Sequence, residues 1–490
     1  MDYVSRGTKK LLRVIFLVLS LSGFLVAEEK AMPVSYDLRV RIEPGPGDIA
    51  VQAKVEIPLK NPQGRDFKFG LHETFTVKQL LVNGKKASFS FQPAEPSPMT
   101  PAFRNVVVSL PPDVSPGKIR MDIEYEGRLK NIPEFGTSPD QKQAMDDQVN
   151  ARMVELAGYS SWYPQFVFGE PVQVQMELSL PQGWISICSG KKLDEQVKDG
   201  RVITRWFSAR DLDPLIAASP NYKEKSVRQS GVNVEIYYTQ MPEEFVSGEA
   251  RQIADVVKLY TDGLGETNIP GGTVKHVYSP KRKGQGKAGI ARPGMIVTSE
   301  GRTLESLAQD PHFSLFQPIA HEIAHFWWNF GVGQGDWINE AFAEYFSAIA
   351  VQKISSEAEF KNVLEDYRKR VHGLPTDAPS LATVPFGSDD VGFVVRYYKG
   401  ALMLHHVRGI LGEEKFLQAC RDFFQTYKGK SIETAEFRSF WKVKLADQKN
   451  AVDVWLDSGG GVPDNLARQL EPTLPLLTCF GWKSIANTPN

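Results

Sequence analysis

Only three cysteines, Cys188, Cys420 and Cys479, occur in 490 residues, and none stands at metal-ligand spacing. A disulfide framework and a thiolate metal site are therefore excluded. An excess of charge of one sign is missing as well: 57 Lys and Arg face 58 Asp and Glu, so no global field draws nucleic acid or anionic membrane. The local exception, Lys281-Arg282-Lys283 with Lys287 among glycines, reads as a solvated hairpin tip. No internal repeat and no low-complexity stretch occurs, and beyond residue 27 no apolar run is long enough to span a bilayer. Histidine is scarce too, at 8 residues, which makes the spacing of those present informative.

The rest is the composition of a folded protein, 42% hydrophobic and 23% charged, in a chain too long for one ordinary core. Arg6, Lys9, Lys10 and Arg13 precede an apolar run from Val14 to Ala27 and then Glu28-Glu29. That is the order of a secretory signal peptide over residues 1–27, although Leu25 is larger than cleavage prefers. The expectation is export, periplasmic or extracellular, with a membrane-anchored protein if the segment stays uncleaved.

Hydrophobic periodicity divides the remainder. Tyr36, Leu38, Val40 and Ile42 alternate with polar residues, as do Val51, Ala53, Val55 and Ile57, with Pro44-Gly45-Pro46-Gly47 between them. These runs predict two half-buried antiparallel strands joined by a turn. The alternation returns in Val172, Val174, Met176, Leu178 and Leu180 and again in Val232, Val234 and Ile236. Residues 31–220 read as an all-β domain, in which Trp162-Tyr163-Pro164 is expected as a buried aromatic corner. From Ser247 the period becomes helical to Gly263, and 274–278 reads as a strand. Pro318 opens a helix that Gly331 and Gly333 are placed to end. Helices follow over 337–353, 355–372, 396–411, 413–427 and 433–446. The expected architecture is multidomain α+β: the β domain, a mixed α/β catalytic domain over 221–350, an α-helical region over 351–465 and a tail over 466–490.

The chemistry concentrates in His321-Glu322-Ile323-Ala324-His325. Residues i and i+4 of a helix share a face, so both imidazoles reach one metal while Glu322 lies beside it. A third ligand from the next helix, with one position left open, is the layout of a catalytic zinc rather than a structural one. Asn339-Glu340-Ala341-Phe342-Ala343-Glu344 offers two carboxylates one turn apart on the same face, so spacing leaves both open as ligand. The Asn-Glu pair at the helix start favours Glu340, with Glu344 then a partner for a ring N–H. One Zn2+ per chain is expected on His321, His325 and Glu340, with Glu322 as general base on the attacking water. His72, His276, His312, His372, His405 and His406 show no paired spacing and are assigned ordinary packing or surface roles.

These segments resemble the gluzincin aminopeptidases of the aminopeptidase N family, with their thermolysin-like catalytic domain. His321 to Trp328 is similar to the family's H-E-x-x-H plus aromatic segment, and Trp337 to Tyr345 to its second zinc helix. Tyr397-Tyr398-Lys399-Gly400 is similar to its tyrosine followed by x-K-G. Tyr36-Asp37-Leu38 and Trp455-Leu456 with Pro463 are weaker matches at the two ends. The resemblance implies a peptide or protein substrate and makes Tyr397 the transition-state stabiliser, a role that spacing alone does not suggest. Two departures stand out. Glu340 follows His325 at a shorter interval than the family's usual one, where Glu344 stands instead. The stretch Gly289 to Thr298 carries Ala291 or Arg292 where the family's G-x-M-E-N glutamate would hold a free amine. The chain also stops short of the large C-terminal helical domain of longer members. An aminopeptidase-like zinc peptidase is thus the leading expectation. Its alternatives are an endopeptidase or processing enzyme without amine recognition, and a non-catalytic protein-binding module that keeps the fold.

Overall fold

A computed structural model describes residues 33–59, 66–93, 103–111, 114, 117–129, 148–166, 171–267, 269–280, 289–331, 335–386 and 390–462. The expected signal segment, the basic cluster at 281–287, Cys479 and the tail at 466–490 lie outside them. Among the described residues no helix is long and apolar enough to cross a membrane.

The alternating runs do form strands. Ser35–Glu43 and Asp48–Leu59 pair antiparallel, with Tyr36 opposite Val55 and Ile42 opposite Ile49. Their apolar residues bury on one face, as a period of two requires. Gly47, at φ +79°, supplies the left-handed turn residue between them. Local pattern does not reveal the other neighbour of Ser35–Glu43, which is Val172–Pro181, lying parallel with Tyr36 opposite Val174. Around this centre an eight-stranded sheet runs in the order Lys191–Lys198, Arg201–Asp211, Val172–Pro181, Ser35–Glu43, Asp48–Leu59, Gly117–Arg128, Thr76–Val82, Lys85–Lys86. Two three-stranded sheets flank it: one of Asp66–His72, Phe103–Ser109 and Phe89–Pro93, the other of Ile185–Cys188, Ile216–Ser219 and Val154–Leu156. Trp162 and Tyr163 are buried as expected. The corner is tied down by polar atoms as well: Trp162 donates to the Pro214 carbonyl at 3.3 Å, and the neighbouring buried Tyr36 donates to the Pro164 carbonyl at 2.9 Å, which is what makes a tyrosine or tryptophan affordable inside a core.

A mixed five-stranded sheet comes next, ordered Lys223–Gln229, Val232–Tyr238, Thr273–Ser279, Met295–Ser299, Ile290–Arg292. The strand Val232–Tyr238 belongs here and not to the eight-stranded sheet. Lys275 ties this sheet to the preceding β structure: its buried ammonium donates to the carbonyls of Cys188 and Gly190, and burial pushes its pKa down to about 8. Against the sheet packs helix α1 (Glu243–Leu264), burying Ala250, Ile253, Ala254, Val257 and Tyr260 at helical spacing. The helices that follow are α2 (Glu300–Gln309), α3 (Phe316–Ala324), α4 (Asp336–Ala350), α5 (Glu357–His372), α6 (Asp390–Val394), α7 (Gly400–Leu411), α8 (Glu413–Tyr427), α9 (Thr434–Leu445) and α10 (Asn450–Asp457). One apolar core joins α1, the sheet and nearly all of these helices; a second fills the β-rich part. The architecture is mixed α+β, β-rich at the start and helical at the end.

Three helices differ from the expected ones. The helix carrying the histidine pair begins at Phe316, ahead of Pro318, and ends at Ala324 instead of reaching Gly331. The amides of Trp327 and Trp328 fold back onto the Ala324 carbonyl, because Trp327 donates to the Gly265 carbonyl at 2.9 Å and Trp328 stacks on Phe342 at 4.2 Å. The helices expected over 337–353 and 396–411 each contain a π-turn, at Val351–Ser355 and Val395–Lys399. A π-turn is defined by where the backbone hydrogen bonds go, which side-chain periodicity does not report. Cys188 and Cys420 are buried free thiols.

Candidate metal centre and the cleft around it

Helix α3 faces the core with Phe316, Ile319, Ala320 and Ile323, and this fixes its rotation so that His321 turns toward α4. His325 is the residue that closes the helix, still at φ −63° and ψ −12°, so the one-turn offset between the two rings survives the early end. Their Nε2 atoms stand 3.2 Å apart, with the rings nearly perpendicular. The opposite nitrogens are engaged elsewhere: His321 Nδ1 bonds Glu344 Oε2 at 2.8 Å and His325 Nδ1 bonds the Trp328 carbonyl at 3.1 Å. Each outward bond makes Nδ1 the protonated nitrogen and leaves the Nε2 lone pair pointing inward.

Helix α4 completes the arrangement. Glu340 Oε2 lies 3.3 Å from His321 Nε2 and 3.5 Å from His325 Nε2, whereas Glu344, one turn on, sits behind His321 at Nδ1. The geometry thus separates the two carboxylates that spacing left open. His321, His325 and Glu340 offer atoms all within 4.8 Å of one another, a group that could hold a metal ion. Two lone pairs and a carboxylate oxygen that has no hydrogen-bond partner among the described residues converge on one point, a repulsive arrangement that a cation resolves. The acid–base balance agrees. Burial lowers His321, yet Glu340 and Glu344 outweigh it and hold its pKa well above the usual imidazole value. His325 is raised against burial by Glu340. Glu340, opposed by burial, is held well below the carboxylate range by His325 and His321. The cluster demands positive charge, and the residues present fit a zinc site with three protein ligands.

The interval between His325 and Glu340 works because the chain is clamped across it. Asn339 accepts from the Phe330 amide at 2.8 Å and donates to the Gly331 carbonyl at 2.7 Å, and the stacking of Trp328 on Phe342 holds the segment after α3 against α4. Asp336, at the start of α4, pairs with Arg396 at 2.6 Å, both side chains nearly buried. Gly400 approaches α4 so closely that a Cβ there would overlap that of Ala341. Next to Gly400 the π-turn carries Tyr397, whose ring lies parallel to His321 at 5.4 Å. Burial and then Glu340 hold the Tyr397 phenol well above its usual range, so it stays a hydrogen-bond donor. Lys399 is drawn away from the centre to the carbonyls of Ser458 and Gly460 at 2.6 and 2.9 Å. Phe393 stacks on the outer face of Tyr397 at 4.1 Å and is 38% exposed; the i, i+4 relation of these rings was a signal that the sequence carried.

Glu322 contributes none of the three converging atoms. Burial raises its pKa above the usual carboxylate value, and the two imidazoles pull it down less strongly. Gly289 comes against it: a Cβ at that position would overlap the Glu322 carboxylate. Arg292, three residues on, pairs with Asp213 at 2.6 Å. Sequence inspection gave no sign of Asp213, because 79 positions separate the partners.

Comparison with known proteins shows what the region around this centre is similar to. Residues 293–456 match the Peptidase family M1 domain. Aminopeptidase Q of Homo sapiens is 24% identical over 168 residues, 29% of this chain and 16% of that protein. Leucine aminopeptidase 2 of Aspergillus fumigatus is 30% identical over 139 residues, 25% of this chain and 21% of that protein. The chain therefore aligns with about a fifth or less of each of these two relatives. Among solved structures, the M1 zinc metallopeptidase from Deinococcus radiodurans superposes with a TM-score of 0.67 at 17% identity, covering 88% of this chain and 96% of that one. Yeast LTA4 hydrolase in complex with Bestatin superposes at 0.64 and 16%, covering 91% and 72%. At these identities the structural likeness speaks to the fold.

Proposed function

We propose that this chain, which carries a Peptidase family M1 domain, is an exported zinc-dependent hydrolase of peptide bonds, aminopeptidase-like in its construction. The observation that carries the reading is the convergence of His321 Nε2, His325 Nε2 and Glu340 Oε2 on one point. His321, His325 and Glu340 would hold one zinc ion, which would supply Lewis acidity toward water and the substrate carbonyl.

The remaining work falls to the protein. Glu322 takes the proton of the attacking water on its carboxylate and delivers it to the leaving amine, a double duty that a burial-raised pKa suits. Tyr397 keeps its proton and donates to the oxyanion that develops on the substrate carbonyl. Glu344 holds the His321 ring in its tautomer and orientation, and Asn339 holds the start of α4. A peptide ligand fits this reading, since a related M1 zinc metallopeptidase is described bound to a Tyr-Ser-Ala substrate. A metal retained only for stability would need neither a buried carboxylate beside it nor a phenol stacked against its ligand, which favours the enzyme over a binding module.

The test is zinc content per chain together with mass spectrometry of a mixed peptide pool exposed to the wild type and to Glu322→Gln. We expect one zinc in both proteins and cleavage by the wild type alone. Zinc in both with cleavage in neither would support the binding module instead. Export rests on the basic and apolar order of residues 1–27. N-terminal sequencing of the protein recovered outside the cytoplasm tests it, and retention in the membrane fraction with Met1 intact would mean an anchor.

A further inference from the structure

Asp336, Glu340 and Glu344 stand at successive i, i+4 positions of α4 and so form one acidic stripe along the helix. Each carboxylate of the stripe meets a different partner. Glu344 takes the His321 ring at Nδ1, Glu340 the two Nε2 atoms, and Asp336 the guanidinium of Arg396. Arg396 lies in the π-turn Val395–Lys399, directly before Tyr397. Its Nη1 donates to Asp336 Oδ2 at 2.6 Å, and the two side chains are only 9% and 8% exposed. Its Nε is buried without an acceptor among the described residues, so the bond to Asp336 is what directs the guanidinium. Cζ of Arg396 stands 5.7 Å from the centre of the Tyr397 ring, within reach of a cation–π contact.

The π-turn is pinned to α4 at its other end as well. Gly400, which follows it, meets Ala341 so closely that a Cβ there would overlap. Asp336 and Ala341 are separated by about 7.5 Å along the axis of α4. Between these two pins lies Glu340 on α4 and Tyr397 on the π-turn, so the bracket encloses a metal-ligand candidate and the phenol that faces it. The Tyr397 ring is stacked on His321 at 5.4 Å and on Phe393 at 4.1 Å. A slide of the π-turn along α4 would therefore carry the phenol away from the converging ligand atoms. Turns with i→i+5 hydrogen bonds are rare, and this one is held by what it packs against.

We propose that Asp336 and Arg396 are positioning residues: their pair sets the register of the π-turn on α4 and thereby the place of the Tyr397 hydroxyl. The proposal rests on the hydrolase reading above, in which Tyr397 serves the oxyanion, and adds what holds that donor. A buried ion pair is a poor source of stability, since apolar residues of similar volume commonly do as well or better. What apolar residues lack is direction: a hydrogen-bonded charge pair has one geometry, whereas a greasy contact tolerates sliding. A preorganised donor is useful only where the oxyanion forms, and a misplacement of about 1 Å can cost 10²-fold in rate.

The experiment replaces the pair by apolar residues, Asp336→Leu with Arg396→Met, in the wild type and in Tyr397→Phe. The apolar pair strands no charge, so it should melt no lower than the wild type and bind one zinc. Its KM should stay close to the wild-type value while kcat falls by about 10- to 100-fold. Tyr397→Phe alone should lose about 10²- to 10³-fold, and adding the apolar pair to it should cost nothing more. A second readout needs neither metal nor turnover: 3-fluorotyrosine placed at position 397 is followed by fluorine NMR in the zinc-free protein. The wild type should give one resonance displaced by the stacked rings, and the apolar pair should move it toward its position in the unfolded chain. Full kcat in the apolar pair, an equal loss with and without the phenol, or a resonance that stays in place would each overturn the proposal. Failure of the hydrolase reading looks different: the wild type cleaves nothing, or cleavage survives Glu322→Gln, and the fluorine spectra then still decide whether the pair places the ring.

Discussion

Replacing Glu344 by alanine tests the division of labour between the two carboxylates of α4. The acceptor lost lies 2.8 Å from His321 Nδ1, in a contact where the histidine and glutamate side chains are only 8% and 12% exposed. A buried hydrogen bond to a charged group contributes about 1.5–3 kcal/mol. Here its service is to hold the ring in the tautomer whose Nε2 faces Glu340. Zinc affinity should therefore fall by about 10- to 100-fold, the usual cost of losing such a partner, which is about 1.4–2.7 kcal/mol. Glu344→Gln keeps an acceptor oxygen without the charge and should fall in between. Glu340→Ala removes one of the three converging atoms, and zinc should not survive dialysis. Competition against a chromophoric chelator at fixed pH measures all three variants, and melting in the presence of chelator checks that each apo fold is intact. If Glu344→Ala loses zinc outright while Glu340→Ala only weakens it, the ligand and its supporting partner have been exchanged and the argument from Nδ1 and Nε2 fails.

Three further outcomes follow from the same geometry. Gly289→Ala places a methyl group where the Glu322 carboxylate lies; zinc content should stay at one per chain while kcat falls about 10²-fold, within the range that a displaced general base costs, and unchanged turnover would refute the contact. Asp336→Ala strands the buried Arg396 guanidinium and should destabilise the fold by about 3–5 kcal/mol, read as the shift in a urea midpoint. His405, held down to about 3 by burial and by Arg408, is neutral in the folded chain while an unfolded chain protonates it below about 6.5. Stability should be full above that pH and decline as pH falls through 6.5 toward 3, by about 2 kcal/mol at pH 5; His405→Gln should flatten this slope in urea titrations at pH 7 and pH 5.

Much of this could be read from local pattern. A period of two in Tyr36 to Ile42 and Val51 to Ile57 specifies the first hairpin, because alternation leaves one register that buries every apolar residue. A period near 3.6 specifies α1, and the one-turn offset of His321 and His325 needs only a helical backbone. The π-turns were not legible, since they are defined by backbone hydrogen bonds and not by side-chain spacing. Nor was the early end of α3, which depends on the Gly265 carbonyl and the Phe342 ring, both distant in the chain.

The sequence by itself determined the chemistry on offer: two imidazoles on one face, a carboxylate between them, and two more on the helix that follows. Tertiary structure alone decided which carboxylate looks at Nε2 and which at Nδ1, because that depends on how α4 is rotated by Trp328, Phe342 and the Asn339 clamp. It alone also brought Asp213 to Arg292 and Gly289 to Glu322. The spacing of the two imidazoles is a property of one helix, whereas pairs such as Arg292 and Asp213 are set by elements that meet only after folding.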